Sequence, residues 1–199
     1  FPGNTAVNSK GQLVVYTGET GKPEYTILHG DGKPSGKIQC SFDGDGNVFA
    51  IGAEDCLYIA SKIAAAESPS ICKQTLYVVD TGGKVLKDMD LGSISYERQG
   101  DFDKEIMGIA VDANGNIYLS PRRGGVRMLD PEGRELRTFG NFIYSGMDAD
   151  IGNNLLVYGL TAKDYKLVLE KFNTATGKSL WKQNIDKRPD GNSLYFGRS

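Results

Sequence analysis

Short apolar segments alternate with polar turns that carry Gly or Asn along the whole chain. The first such unit is Thr5 to Tyr16, with its turn at Asn8-Ser9-Lys10-Gly11. Cys40 to Ala50, Ile109 to Leu119 and Met147 to Tyr158 repeat the form, and a fifth begins at Arg188 to Phe196. Each reads as strand, turn, strand, because Asp, Asn and Gly are the residues that tight turns select. A second hairpin follows in most units. Leu76 to Asp80, Val126 to Asp130 and Leu167 to Asn173 are strands that end on Asp or Asn. A glycine turn comes next (Gly82-Gly83, Gly133 or Gly177), and then another strand. Tyr25 to Leu28 with the turn His29-Gly30-Asp31-Gly32 is the weaker version in the first unit. Glycine supplies the positive φ that such turns need.

The turn glycines set a period. Gly11 to Gly46 is 35 residues, Gly115 to Gly152 is 37 and Gly152 to Gly191 is 39. The longer step from Gly46 to Gly115, 69 residues, implies extra sequence in the second unit. A period of about 40 with four strands per unit is that of β-propeller blades. A single four-stranded sheet cannot bury both of its faces, and radial stacking buries each against the next. The pattern therefore predicts an all-β, single-domain chain over residues 1–199. It is a β-propeller, or part of one, made of four-stranded antiparallel blades: about four complete repeats plus the start of a fifth.

Within that architecture, Ile109 to Gly140 resembles an NHL-type repeat, although it lacks the His of the Asn-His-Leu triplet. Thr176-Gly177-Lys178-Ser179-Leu180-Trp181 is similar to the turn of quinoprotein-type (PQQ-like) blades. The resemblance implies a propeller and little about activity, because that fold hosts enzymes, receptors and scaffolds alike. Gluconolactonase-like propellers hold a divalent metal in the central channel. No residue set here maps onto that arrangement, although Asp112, Asp148 and Asp150 place polar groups near strand ends.

Four units and a hairpin leave a ring of blades unfinished. An open ring exposes apolar faces and unpaired edges. The end blades are therefore expected to meet another protein segment or another copy. Closure as a compact four- or five-bladed ring is the alternative.

Composition narrows the partners. The chain has 199 residues, 26 glycines and a net charge of −2, which argues against a dedicated nucleic-acid surface. No apolar run approaches the roughly 20 residues of a membrane-spanning helix, so no membrane insertion is expected. The first residue is Phe1, consistent with a processed or excised chain. Of the three cysteines, Cys56 and Cys72 flank a segment that reads as an insertion at about 56–72. A Cys56–Cys72 disulfide would close that segment in an oxidising compartment, stabilising by about 3 kcal/mol. Three unpaired thiols are the alternative. Cys40 lies in an apparent strand and is expected to be packed.

Candidate chemistry is sparse. Asp43, Asp45 and Asn47 alternate along the chain and Glu54 follows, the outline of a calcium loop. Val48 stands where such a loop needs Gly, and an ordinary turn is the alternative reading. His29 is the only histidine, which excludes a His-rich metal site and suits a turn residue. Arg122, Arg123 and Arg127 gather in one hairpin, a basic loop for phosphate or carboxylate, or simply a solvated one. Tyr16, Phe49, Tyr77, Tyr118, Tyr158 and Tyr195 are expected to pack between blades. The leading expectation is a non-enzymatic binding or scaffolding propeller outside the cytoplasm, with a protein partner or self-association and no established cofactor. A gluconolactonase-like or quinoprotein-type enzyme and a structural subunit of an extracellular assembly are the alternatives.

Overall fold

The computed structural model describes residues 5–19, 21–150, 152 and 154–185. The expected fifth repeat at 188–196 lies outside the described residues.

Four antiparallel meanders follow one another. Blade 1 is β1 (Thr5–Val7), β2 (Leu13–Tyr16), β3 (Glu24–Leu28) and β4 (Pro34–Gln39). Blade 2 is β5 (Phe49–Ile51), β6 (Leu57–Ala65), β7 (Ser68–Val79) and β8 (Val85–Ser95). Blade 3 is β9 (Ile106–Val111), β10 (Ile117–Pro121), β11 (Arg123–Leu129) and the first part of β12 (Glu135–Ala149). Blade 4 takes the rest of β12, then β13 (Asn154–Thr161), β14 (Leu167–Asn173) and β15 (Ser179–Asn184). β12 thus passes from the outer edge of one blade to the inner edge of the next. It pairs with β11 as far as Ile143 and with β13 from Phe142 onward. Helix among the described residues is confined to a 3-10 turn at Ala53–Asp55 and the single α-helical turn α1 (Gln99–Phe102), ahead of β9.

The core is divided between the blades. Val14, Tyr25 and Ile38 of blade 1 pack on Phe49, Leu57, Ile59 and Val79 of blade 2. Ala60 and Leu76 of blade 2 meet Ile109, Ile117, Leu119 and Leu129 of blade 3. Tyr118, Val126, Met128 and Phe139 of blade 3 meet Phe142, Leu155, Val157, Val168 and Phe172 of blade 4. Along β10 the alternation is direct. Ile117 and Leu119 face blade 2, while Tyr118 faces blade 4. A strand buried on both faces needs apolar side chains at every position, and Ile117-Tyr118-Leu119 supplies them.

The hairpin turns share one hydrogen-bonding device. Asp112 Oδ1 accepts the amides of Asn114 and Asn116, both at 2.9 Å. Its Oδ2 accepts Asn116 Nδ2 at 2.8 Å and the Tyr118 hydroxyl at 2.9 Å. Asp80, Asp130 and Asn8 staple the amides two and four residues on in the same way. The fourth residue of each turn is a glycine with positive φ: Gly11, Gly83, Gly115 and Gly133. At Gly83 the space is also needed, since a Cβ there would meet the Gln39 carbonyl oxygen of blade 1 at 2.0 Å. His29 occupies the Asp position of its own turn, donating its amide to Lys33 O and accepting from Gly32 N.

Two expectations are corrected here. The Asp43–Asn47 segment is not the turn between the first two strands of blade 2. It belongs to the connection from blade 1, and the turn itself is Gly52–Cys56. That turn reaches positive φ without glycine, at Glu54 and Asp55, so the sequence carried no glycine to mark it. The cysteine-flanked segment at 56–72 is in turn not a loop. It forms β6 and the start of β7, a hairpin longer than its counterparts in the other blades. All three thiols are free. Cys56 precedes Leu57, which pairs with Val79, whereas Cys72 pairs with Ala64. The two cysteines therefore stand at opposite ends of β6, about 25 Å apart at the rise of an extended strand. A disulfide needs Cα atoms within about 7 Å.

The staple gives a stability prediction. Asp112 is buried and serves four donors, one of them a buried phenol, whereas Asp31 is exposed and accepts only the Lys33 amide and ammonium. Asp112→Ala is expected to cost about 2–4 kcal/mol in urea unfolding, and Asp31→Ala under about 1 kcal/mol. Equal losses would show that the turns are not held by this bond set.

Candidate functional site

Two kinds of surface stand out: the outer faces of the end blades and one rim where blades 2 and 3 meet. On blade 1, Leu13 holds the place in its hairpin that Ile117 holds in blade 3, five residues after the staple residue. Ile117 is 0% exposed and Leu13 is 37% exposed. Register sets Val7 opposite Leu13 and Leu13 opposite Leu28, a stripe on the side away from blade 2. On blade 4, Leu156 stands where Tyr118 stands in blade 3, and Leu169 where Val126 stands, judged from the turn residues Asp150 and Asn173. Pairing places Tyr158 beside Leu169, Leu160 beside Leu167, and Lys171 between Leu156 and Trp181. Tyr158 is 40% exposed and Trp181 42%. Of the aromatic positions expected between blades, Tyr118 and Phe49 are buried, and Tyr16 and Tyr77 pack on the blade 1–2 core. Tyr158 faces outward, and Tyr195 lies outside the described residues.

At the rim, the end of β6, the segment before β9 and the β10–β11 turn come together. Glu105 is buried between Lys62 Nζ and the Arg122 guanidinium, with Arg122 Nε to Glu105 Oε2 at 3.0 Å. The Arg122 guanidinium also lies 3.8 Å over the Phe102 ring, and Phe102 packs on Tyr96. Burial by itself would raise the Glu105 carboxyl. The hydrogen bonds from Lys62 and Arg122 outweigh it and hold the group below its ordinary range. This ladder pins the 96–105 segment to the rim and ties blade 2 to blade 3. Nearby, the Ser120 and Ser145 hydroxyls are hydrogen-bonded to each other across blades 3 and 4.

The three arginines of the basic loop therefore part company. Arg122 is taken up by Glu105, and Arg127 Nε binds Glu135 at 2.9 Å. Arg123 Nη2 donates to the Tyr165 hydroxyl at 3.2 Å. Asp43, Asp45 and Asn47 precede β5 while Glu54 follows it, so the four sit at opposite ends of a strand. Among the described residues, no three His, Cys, Asp or Glu side chains are grouped to hold a metal ion. Among these residues, too, no helix is long and apolar enough to cross a membrane. Asp112 and Asp150 are turn staples, and Asp148 accepts the amide of Ala149. Sequence reasoning picked out Arg122 but missed Lys62 and Glu105, which carry no local motif.

No known family profile and no curated protein sequence matches the chain. Solved structures match its fold. A Bacteroides caccae protein of unknown function is similar at 14% identity and a TM-score of 0.59, over 93% of this chain and 61% of that one. Hydrazine synthase of Kuenenia stuttgartiensis gives 15% and 0.58, over 96% and 54%. BBS1N, a propeller solved in complex with ARL6DN, gives 14% and 0.57, over 98% and 56%. At such identities the likeness is one of fold, and the fold is the β-propeller. The chain spans between about half and three-fifths of the length of these neighbours.

The rim ladder sets an acid response. Glu105 is depressed below its ordinary 4.5, so its stabilisation is present above that pH and is lost as pH falls through the folded value. Unfolding measured from pH 7 to pH 3 should show the wild type losing stability below about pH 4.5 more steeply than Glu105→Gln. At pH 7, Glu105→Ala should cost about 2–3 kcal/mol, because two half-buried cations lose this carboxylate. Parallel pH curves for wild type and Glu105→Gln would remove Glu105 from this role.

Proposed function

We propose that the chain is a binding or scaffolding propeller whose end blades dock against further β-blades of another protein segment. The observation that carries the reading is the apolar outer face of each end blade, at positions buried in the inner blades. Leu13 and Leu156 are the clearest cases, matching the fully buried Ile117 and Tyr118. Fully burying one large apolar side chain contributes about 1.5–3 kcal/mol, so covering the six on blade 4, four of them already half-buried, would offset part of the cost of association. The longer structures that match this fold support the reading, since their extra length gives room for more blades. One of them, BBS1N, was solved bound to a protein, and a protein partner is the chemistry proposed here.

Within the propeller class, we read the repeats as nearest the NHL type, on the Ile109–Gly140 unit that forms blade 3. The partner is a β-rich protein surface rather than nucleic acid, in keeping with the net charge of −2. Placement outside the cytoplasm stays part of the proposal without a disulfide to support it.

Light scattering on the purified chain tests the reading. The mass is expected to exceed the 21.6 kDa of one chain, or the monomer to bind a hydrophobic dye strongly. Tyr158→Lys with Leu169→Lys should abolish self-association and weaken dye binding while leaving the circular dichroism spectrum and thermal midpoint in place. A monodisperse monomer with little dye binding would overturn the proposal.

A further inference from the structure

The strands of blade 2 outrun those of blade 3. β6 and β7 have 9 and 12 residues, against 5 and 7 for their counterparts β10 and β11. Between the outer parts of these two blades lies a cleft of ≈ 450 Å³. That volume falls within the range of about 300–1,000 Å³ typical of small-molecule sites.

Three breaks in strand pairing border this one cleft. The β7–β8 register shifts between Gln74 and Thr75, the β9–β10 register between Ser120 and Pro121, and the β11–β12 register between Gly124 and Val126. Gln74, Pro121 and Gly125 all line it. Strand irregularities of this kind re-aim side chains and recur beside binding sites. Gln74 is spent on the frame. Its Oε1 accepts the Ile106 amide at 2.9 Å and its Nε2 donates to the Lys104 carbonyl at 3.3 Å. Both ends of that amide are fixed, so the floor of the cleft and the backbone of Lys104 are held in place.

The charge in the cleft runs against that of the protein. Lys104, Arg123 and Arg127 line it with a single carboxylate, Glu135, although the chain as a whole carries −2. Asp101 binds Lys104 Nζ at 2.8 Å, and Glu135 binds Arg127 through Nε. Among the described residues, the terminal nitrogens of Arg127 have no hydrogen-bond acceptor and Arg123 has no ion pair. Arg123 and Arg127 thus both line a half-enclosed space beside Leu91 and Pro121, Arg123 with its guanidinium within reach of the exposed Tyr165 hydroxyl. A guanidinium presents paired N–H donors that match the oxygens of carboxylate or phosphate.

We propose that this cleft binds a small molecule through an oxyanion group, a carboxylate or a phosphate, held between Arg123 and Arg127. Leu91 and Pro121 receive the uncharged body of the ligand. The site is independent of the end-blade faces and does not rest on the docking proposal.

Calorimetric titration of the full chain at low ionic strength tests it, with citrate and inorganic phosphate as separate probes. Saturable binding of at least one anion is expected. Arg123→Ala with Arg127→Ala should weaken it tenfold or more, and Lys163→Ala with Lys166→Ala, at a separate lysine-lined hollow on blade 4, should leave it unchanged. Citrate binding alone assigns a carboxylate ligand, and phosphate binding alone a phosphate. Should the double alanine variant fail to fold by circular dichroism, Arg123→Lys with Arg127→Lys keeps the charge and removes the paired donors, and it too should bind more weakly. Absence of saturable binding by both anions, equal weakening by the two alanine pairs, or undiminished binding in the folded arginine variant would overturn the proposal.

Discussion

Everything in this fold depends on covering both faces of a four-stranded sheet. Each blade is too thin to enclose a core, so its stability comes from the neighbours on either side. Tyr25 of blade 1 shows the arrangement at the scale of one side chain. Its ring packs edge-on against Phe49 of blade 2 at 4.7 Å, and its hydroxyl donates to the Gly46 carbonyl at 2.6 Å. The ring buries apolar area between the sheets while the hydroxyl satisfies the blade-to-blade connection. The inner blades repeat this solution twice over, which is why strands such as β10 are apolar at consecutive positions. Blades 1 and 4 have the same sequence habit and, among the described residues, one neighbouring blade each.

The second demand is on the turns. A meander of short strands reverses direction every few residues, and each reversal must satisfy amides that have left the ladder. Asp or Asn at the end of a strand does this by accepting two amides on one oxygen, with glycine taking the positive φ. The device is local, so it does not depend on what the blade packs against. It helps fix hairpin register, and register decides which side chains face which neighbour. At Asp112 the two demands join, since the same carboxylate that closes the turn takes the hydroxyl of Tyr118 inside the blade 3–4 core.

That division explains what could be read from the sequence. The turns are local and their residues are distinctive, so the repeat, the four strands per unit and most hairpins were legible from Asp-x-x-Gly patterns. Reading failed in blade 2, where the Gly52–Cys56 turn uses Glu54 and Asp55 at positive φ while the glycine-rich Asp43–Asn47 stretch mimics a turn in a connecting loop. That single slip of phase made a long hairpin look like a cysteine-closed insertion. The rim ladder was beyond reach for a different reason. Lys62, Glu105 and Arg122 come from three elements, and their meeting depends on how far blade 2 overhangs blade 3. Neither quantity is local. Arg122, Arg123 and Arg127 looked like one basic loop, yet strand alternation and a bulge send them to three different partners.

The outward faces of the end blades can be weighed against the chain's treatment of true surface. Where strands meet water along the outer edge, as in β15, every residue is exposed and most are polar: Ser179, Lys182, Gln183 and Asn184. The sequence therefore does place polar residues where a sheet is solvated, as antiparallel sheets with one wet face commonly do. The outward face of blade 4 departs from that habit within the same sheet. Leu156, Tyr158, Leu160, Leu167 and Leu169 stand together there, bordered by Asp148 opposite Leu156 and by the Lys171–Asp150 ion pair. Scattered apolar residues on a surface need no explanation, but a contiguous set on a strand face does. The set also follows the inner-blade template position by position, with Leu156 in the place of Tyr118 and Leu169 in the place of Val126. A face meant for water would have no reason to keep that template. Its persistence is what favours another sheet as the occupant over a peptide or a small ligand.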